Sequence, residues 1–591
     1  MQELLNKLNT PQRDAVKYNQ GPRLVLAGAG SGKTRVITHK IAYLIKSLGI
    51  QAKHITAITF TNKAAKEMQE RASKLVSGLN TRGLTICTFH ALGLKIMREE
   101  AKNLGYKPTF SVLDSYDSGK IISDIMQTTD KSLIRSMQSQ ISLWKNSFTS
   151  PELVQSQAKE EFDHFAARVY LQYQDTLKTY QAIDFDDLIK LPVELFKTDL
   201  AVLHKWQLKI RYLLVDEYQD TNVCQYQLIK LLAGSQGQFT AVGDDDQSIY
   251  AWRGADSENL RLLNQDYTNL NIIKLEQNYR STTTILGAAN QVIQNNPKLF
   301  EKKLWSDFGS GEPIRLISCP NDEAEADMVV RKIMLHQLNS STKFSDYAVL
   351  YRSNFQSRVL EQAFRNYKIP YTISGGKSFF DKAEIKDIMA YLRLTINEDD
   401  DSAFIRAITT PKRGIGETTL DKLSTYAARR EISLFEALFE EGFAAVCNPV
   451  QLENVLDFGR FINDIQARQK YEPAGELLTE ILSAIKYEEY LYDSEELKAA
   501  EKRYGNVLNF IEWMSKKGEN DNKTLPELTQ TVALITLLEG QSEEEIDSVK
   551  LSTLHAAKGL EYPYVFMISC EEGILPHQES VAQGKIGRAH V

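Results

Sequence analysis

The chain has 591 residues, 42% of them hydrophobic and 25% charged, with a formal net charge of −7. At about 150 residues per domain, that length calls for roughly four domains with real cores, and the acidic balance excludes a nucleic-acid binder that works by bulk positive charge, so any grip on a polyanion must be local. Cys87, Cys224, Cys319, Cys447 and Cys570 show no Cys-x-x-Cys spacing, which excludes zinc and redox motifs, and neither a basic-then-apolar leader nor a bilayer-length apolar run is present. A cytoplasmic protein with reduced thiols and no membrane contact is expected.

Leu8 to Val16 carries helix-start signals, with Pro11 suited to the first helical position after Thr10 as cap. The Gln12 amide can donate and accept at once, as the edge of adenine requires, although residue type alone favours a surface glutamine. The apolar run Leu24-Val25-Leu26 then enters Ala27-Gly28-Ala29-Gly30-Ser31-Gly32-Lys33-Thr34 and a helix-compatible segment. Strand, glycine-rich turn and helix in that order form a phosphate-binding loop: the glycines let backbone N–H groups approach phosphate oxygens, and the helix points its positive end at them. Lys33 reaches the β- and γ-phosphates and the Thr34 hydroxyl ligates Mg²⁺; the one departure from the strict pattern is Ala27 in place of glycine.

His54 to Phe60 is a β-rich run ending in a polar turn, and Thr61 to Met68 reads as a helix. Ligands gather at the carboxyl ends of strands in open α/β sheets, so Phe60 to Lys63 are expected to line a site. Leu84 to His90 repeats the pattern, with Phe89 read as core. From about Ala91 to Leu200 long helical patterns replace strands, and the next strand, Ile210 to Val215, ends at Asp216, 183 residues after Lys33. A stretch that long has structure of its own, which predicts an inserted helical subdomain. Asp216 is placed to hold Mg²⁺ and Glu217 to polarise the attacking water. Phe239 to Gly243 is another strand, after which Gln247 can sense a γ-phosphate, while Tyr250 and Trp252 alternate as flat faces for base stacking. Leu275-Glu276-Gln277-Asn278-Tyr279-Arg280-Ser281 supplies an arginine able to neutralise transition-state charge, although alone it reads as a surface ion pair.

On Ala-Gly-Ala-Gly-Ser-Gly-Lys-Thr, Thr-Phe-Thr-Asn-Lys-Ala-Ala, Asp-Glu-Tyr-Gln-Asp, Gly-Asp-Asp-Asp-Gln-Ser-Ile-Tyr-Ala-Trp-Arg-Gly and Gln-Asn-Tyr-Arg-Ser, the chain to about Gln578 resembles the superfamily 1A DNA helicases of the UvrD/Rep/PcrA group, nearest their Rep branch. The resemblance implies an α/β fold with two RecA-like P-loop domains built on parallel sheets, each carrying a largely helical insertion. In that arrangement 1–90 and 200–280 form the first core domain and 91–199 its insertion. Residues 281–375 and 548–584 form the second, with strands at Pro313 to Ser318 and Tyr347 to Tyr351, and 376–547 its insertion. It further implies an ATP-dependent 3′–5′ helicase and single-stranded-DNA translocase acting in replication or repair. Gln12 then reads adenine, with Arg35 and Tyr279 flanking the base; Arg280 contacts the γ-phosphate and Glu561 the ribose. Phe60, Thr61, Asn62, Tyr250, Trp252 and the base-stacking His577 contact single-stranded DNA, and Gly414 and Gly416 touch duplex. Implied partners are single-stranded DNA, single/double-strand junctions, a second copy in a homodimer and replication or repair proteins.

The family continues into an arginine-bearing motif that this chain does not contain, and 585–591 reads as a translated library adapter, so a truncated gene is expected; native codons through Val591 on resequencing would overturn that. Losing one transition-state arginine costs on the order of 10³-fold in rate, so the rivals are an ATPase-deficient DNA- or partner-binding fragment and the motor part of a nuclease-helicase. A P-loop kinase is disfavoured by the stacking aromatics and the two insertions.

Overall fold

Leu24-Val25-Leu26-Ala27 and Tyr212-Leu213-Leu214-Val215 offer no polar face to water, which demands a parallel sheet covered by helices on both sides. The computed structural model describes residues 2–578 apart from 77–80, 108–109, 114, 236, 252–253, 257, 297, 375–381, 431, 470, 522, 530–531 and 533–546. Trp252 and the tail 585–591 therefore lie outside the described residues. The described strands are β1 (Arg23–Ala27), β2 (Ile55–Thr59), β3 (Thr85–Thr88), β4 (Ser111–Val112), β5 (Ala182–Ile183), β6 (Tyr212–Val215), β7 (Phe239–Gly243), β8 (Asn271–Leu275), β9 (Tyr347–Tyr351), β10 (Tyr371–Ser374), β11 (Val549–Thr553) and β12 (Tyr564–Met567). The α/β chain divides into two units: Met1–Leu92, Phe196–Gly376 and Gln541–Val591 make the first, and Gly93–Leu195 with Lys377–Gly540 the second.

In the first unit, six strands run in the order β3-β2-β6-β7-β1-β8 and four in the order β10-β11-β9-β12. Every pairing in both sheets is parallel, for example Val25 with both Val242 and Ile273, and Leu551 with Val349. Parallel strands bring their carboxyl ends to one edge, so the turns after β1, β2, β6, β7 and β8 share one rim. β1, β2, β6 and β7 are buried at every position. Helix Lys33–Lys46 buries Val36, Ile37, Ile41 and Leu44 against this sheet. A second core gathers Val330, Tyr347, Phe364 and Leu551 around the four-stranded sheet.

Helix Lys33–Lys46 also carries a lysine that the fold holds at a cost. Lys40 is fully buried, donates to the Tyr18 carbonyl and lies 5.4 Å from the Tyr212 ring centre. Burial, and then the Arg23 guanidinium nearby, push its pKa from 10.5 down to about 7. Between those two values the unfolded chain binds a proton that the folded chain releases, so this group makes stability rise with pH across that window. Lys40→Met should flatten the rise and gain on the order of 3 kcal/mol at pH 7 after losing the Tyr18 bond. Urea unfolding of both proteins at pH 7 and pH 10 measures it, and equal stabilities at pH 7 would contradict the burial cost.

Three sequence expectations for the first unit need correction. The helix-start cap is Asn9, not Thr10: helix Thr10–Lys17 begins with the Asn9 side chain accepting from the Gln12 N–H while the Gln12 side chain accepts from the Asn9 N–H. Asparagine caps as well as threonine, and the reciprocal pair satisfies two orphan donors at once. Pro313 to Ser318 is not a strand; Leu316 is 96% exposed, with Ile314 and Ile317 also exposed. An alternating apolar pattern forms a strand only where a neighbour supplies the hydrogen-bond ladder, and no described strand pairs with it. The surface reading of Gln12 also fails, since that side chain is 1% exposed.

The second unit is largely helical, with β4 and β5 as a parallel two-stranded pair inside the stretch expected to lack strands. Its charged centre is Lys145, whose fully buried ammonium pairs with Asp184 at 2.7 Å and Asp187 at 2.8 Å. Tyr173 donates to Asp184 at 3.0 Å. A core including Tyr391, Phe404, Phe458, Leu477 and Phe510 holds its later helices together. Among the described residues no helix is long and apolar enough to cross a membrane.

Candidate active site

The turn after β1 is held by its neighbours before any ligand is considered. The Gly28 N–H donates to the Leu275 carbonyl at 3.3 Å, and the Ser31 hydroxyl turns inward to the Gly28 carbonyl at 2.7 Å. Gly30 must be glycine: its φ is +67°, and a Cβ there would lie 2.5 Å from Asn278 Nδ2. Helix Lys33–Lys46 starts from Gly32 in the left-handed region with no side-chain cap, which leaves its first-turn N–H groups directed at the rim.

Two further segments close on this loop. Gln12 donates from Nε2 to the Ser31 carbonyl at 2.9 Å. From the turn after β8, Asn278 donates to the Ala29 carbonyl at 2.6 Å and the Tyr279 N–H to the Gly30 carbonyl at 2.8 Å. Asn9 donates to the Tyr279 hydroxyl at 2.8 Å. Gln12, Tyr279 and the loop are thus assembled at one place, and Arg35 follows in the first turn of the helix. Arg280 is engaged by the Glu561 carboxylate at 2.7 Å. It forms a partly exposed ion pair, as residue type alone suggests, but with a partner 281 residues away that the resemblance also puts at the nucleotide.

Lys33, Glu217, Gln219, Asp244 and Gln247 form a closed ring of hydrogen bonds. Lys33 Nζ donates to Glu217 Oε2 at 2.9 Å and to Gln247 Oε1 at 3.1 Å. Gln219 Nε2 donates to Glu217 Oε2 at 2.6 Å, while its Oε1 accepts from the Asp244 N–H at 2.9 Å. Gln247 Nε2 donates to Asp244 Oδ2 and closes the ring. Glu217 is aimed into it by a left-handed backbone with φ of +50°.

The charges are set by one another. Burial alone would raise the Glu217 carboxyl, but Lys33, Lys558 and the Gln219 hydrogen bond hold it down at about 2. Burial likewise opposes the charge on Lys33, and Glu217, Asp244 and Asp216 together raise its pKa above the ordinary lysine value. Asp216, accepting from the Glu217 N–H at 3.0 Å, is pushed up to about 7 by burial and then by the Glu217 charge. A buried carboxylate so placed calls for positive charge, and the Thr34 hydroxyl with the Asp216 oxygens is a hard donor set that suits Mg²⁺.

Lys558, in the turn after β11, reaches this ring from the other sheet. It pairs with Asp220, donates to the Gln247 carbonyl at 2.6 Å, and lies 5.0 Å from the Tyr250 ring centre. Tyr250 donates to the His555 carbonyl at 3.1 Å. The remaining candidate DNA residues are more dispersed. Phe60 is half-buried, edge-on to the buried Phe89 at 5.4 Å. Thr61 caps helix Asn62–Leu75 by accepting from the Ala64 N–H at 3.1 Å, and both Thr61 and Asn62 are exposed. His577 is half-buried beside Gly573. Gly414, at φ +70°, and Gly416 are exposed residues of the second unit, in the turn before helix Glu417–Arg430.

Comparison with known proteins accounts for nearly all of the chain. Residues 8–268 match the UvrD/REP helicase N-terminal domain and 273–588 the UvrD-like helicase C-terminal domain. The chain belongs to the UvrD/Rep helicase family. The ATP-dependent DNA helicases Rep of Salmonella typhimurium and of Escherichia coli K12 are each 48% identical to it over 589 residues, covering 98% of this chain and 87% of theirs. The ATP-dependent DNA helicase PcrA of Staphylococcus aureus is 41% identical over 586 residues, 98% of this chain and 80% of its own. This is a UvrD/Rep-type DNA helicase that hydrolyses ATP, and its two parallel sheets are RecA-like folds.

Sequence reasoning missed Asn9, Gln219, Asn278 and Lys558 in this helicase. Gln219 and Asn278 stand inside motifs already picked out, and Lys558 stands in the stretch Leu551 to Glu561. Their spacing carries no signal of the partners that they meet in space.

Proposed function

We propose that this helicase is a single-stranded-DNA translocase that moves 3′ to 5′ and opens duplexes at single/double-strand junctions, in cytoplasmic replication or repair. The observation that carries the reading is the closed ring at the carboxyl ends of β1, β6 and β7, tied by Lys558 to the second sheet and to Tyr250. Lys33 holds Glu217 and Gln247 together, so a triphosphate that draws Lys33 away frees both at once. Glu217, kept ionised, then takes a proton from the attacking water as general base. Arg280 leaves Glu561 for the γ-phosphate, and Glu561 becomes available to the ribose. Gln12 reads the base, with Arg35 and Tyr279 flanking it.

Thr34 and Asp216 would hold Mg²⁺, which neutralises charge on the β- and γ-phosphates. Gln247 and Tyr250 lie three residues apart with Lys558 touching both, so a shift of the Gln247 amide is passed to an aromatic face suited to stacking a base. Phe60, Thr61, Asn62, Trp252 and His577 complete the track, and Gly414 and Gly416 meet duplex. A homodimer and replication or repair proteins remain the expected partners.

Unwinding of duplexes carrying a 3′ or a 5′ single-stranded tail tests this. The 3′-tailed substrate should be opened at least tenfold faster in the presence of ATP, and ATPase should be stimulated by a single-stranded oligonucleotide. Preference for the 5′ tail would overturn the direction, and ATPase indifferent to DNA would overturn the coupling.

A further inference from the structure

Glu301-Lys302-Lys303-Leu304-Trp305 has neither helical nor strand periodicity, and nothing in the motifs draws attention to it. In the fold it is strapped along the end of β8. Lys274 Nζ donates to the Glu301 carbonyl at 2.6 Å, the Lys303 N–H to Glu276 at 3.0 Å, and the Asn278 N–H to the Trp305 carbonyl at 2.8 Å. Leu304 closes over the phosphate loop so tightly that a Cβ on Gly28 would lie 2.1 Å from its Cδ2.

Lys302 points from this strap into the turn after β7. Its side chain is 5% exposed, and Nζ pairs with Asp244, with Asp245 and, at 3.0 Å, with Asp246. Oxygens of these three carboxylates all lie within 4.8 Å of one another. Carboxylates so close, two of them fully buried, repel one another, and the Lys302 ammonium offsets that repulsion. Asp244 is also the acceptor for Gln247 Nε2. The two ends of an amide have the same shape and opposite hydrogen-bonding character. A carboxylate on Nε2 therefore fixes Oε1 toward Lys33 and the phosphate side.

We propose that Lys302 is a positioning residue for ATP hydrolysis: by holding Asp244 Oδ1 it presents Oδ2 to Gln247 Nε2 and so orients the Gln247 amide, with Oε1 toward the nucleotide. The strap carrying it joins the end of β8, the phosphate loop and the Gln247 turn in one short segment. The proposal rests on Gln247 acting in hydrolysis.

A double-mutant cycle on the full chain, with ATPase at saturating single-stranded DNA and circular-dichroism melts as fold control, tests it. Lys302→Met should lower kcat about tenfold or more with KM for ATP within about twofold, because the binding contacts are untouched. In a Gln247→Ala background the same substitution should cost almost nothing more, the signature of two residues acting as one unit. Lys302→Arg, which keeps the charge, should restore kcat to within about threefold of the parent. Additive losses, a loss confined to KM, or a Lys302→Met enzyme with parental kcat would each overturn the proposal. Should Lys302→Met not fold, Lys302→Gln keeps the bulk without the charge and goes through the same cycle with the same expectations. A Gln247→Ala enzyme with full kcat would overturn the underlying role of Gln247; a slow Gln247→Ala beside a fast Lys302→Met overturns only the role of Lys302.

Discussion

Lys33→Ala should abolish steady-state ATP turnover, with kcat falling by on the order of 10³-fold or more at saturating DNA. The size of the effect follows from the two positions of this ammonium. In the structure it bridges Glu217 and Gln247 among the negative charges of Asp216 and Asp244, which raise its pKa. In the proposed cycle the glycine turn before helix Lys33–Lys46 directs it to the phosphates. Alanine removes the transition-state cation and leaves buried carboxylates without their counter-charge, a change that costs about 3–5 kcal/mol in buried pairs generally. The variant should therefore also melt earlier than the parent and bind a fluorescent ATP analogue more weakly. Turnover within tenfold of the parent would remove Lys33 from the phosphate site.

Glu217→Gln should behave differently: ATP should bind and stay. The glutamine keeps the shape and hydrogen-bonding reach of Glu217 but cannot accept a proton from water, so hydrolysis falls by roughly 10²–10⁴-fold while affinity is kept. Lys33 and Lys558 hold the carboxyl at about 2 in the structure, so the parent enters the cycle with Glu217 ionised. The variant also gives Lys33 a weaker partner, which favours its transfer to the phosphates. Retention of radiolabelled ATP through a chase, beside single-turnover hydrolysis, reads both effects. Rapid hydrolysis would disqualify Glu217 as base, and rapid ATP loss would mean that it binds nucleotide rather than water.

The parts of the site that could be read in advance are those whose chemistry is contiguous in the chain. Gly28 to Thr34 has strand, turn and helix in sequence, and Asp216-Glu217 follows a fully apolar strand; both positions lie where a parallel sheet puts its ligands. Gln12 was legible only through the family, since residue type argued for the surface while the fold buried it on the Ser31 carbonyl. Pro313 to Ser318 misled because alternation reports the ability to pair and says nothing of whether a partner strand is there.

The sequence by itself determined the α/β class, the long helices after the first strands and the strand, glycine turn and helix of the phosphate loop, and it singled out Asp216, Glu217 and Gln247 as candidates, because each is written in local periodicity or in a short run of neighbouring groups. Tertiary structure alone decided that Lys33, Glu217, Gln219, Asp244 and Gln247 close into a ring, that Lys558 reaches Asp220 from 338 residues away, and that Lys302 neutralises three carboxylates in another turn. A buried charge is tolerable only beside its opposite, and which lysine meets which aspartate is set by how parallel strands stack their carboxyl ends, a matter that no local pattern records.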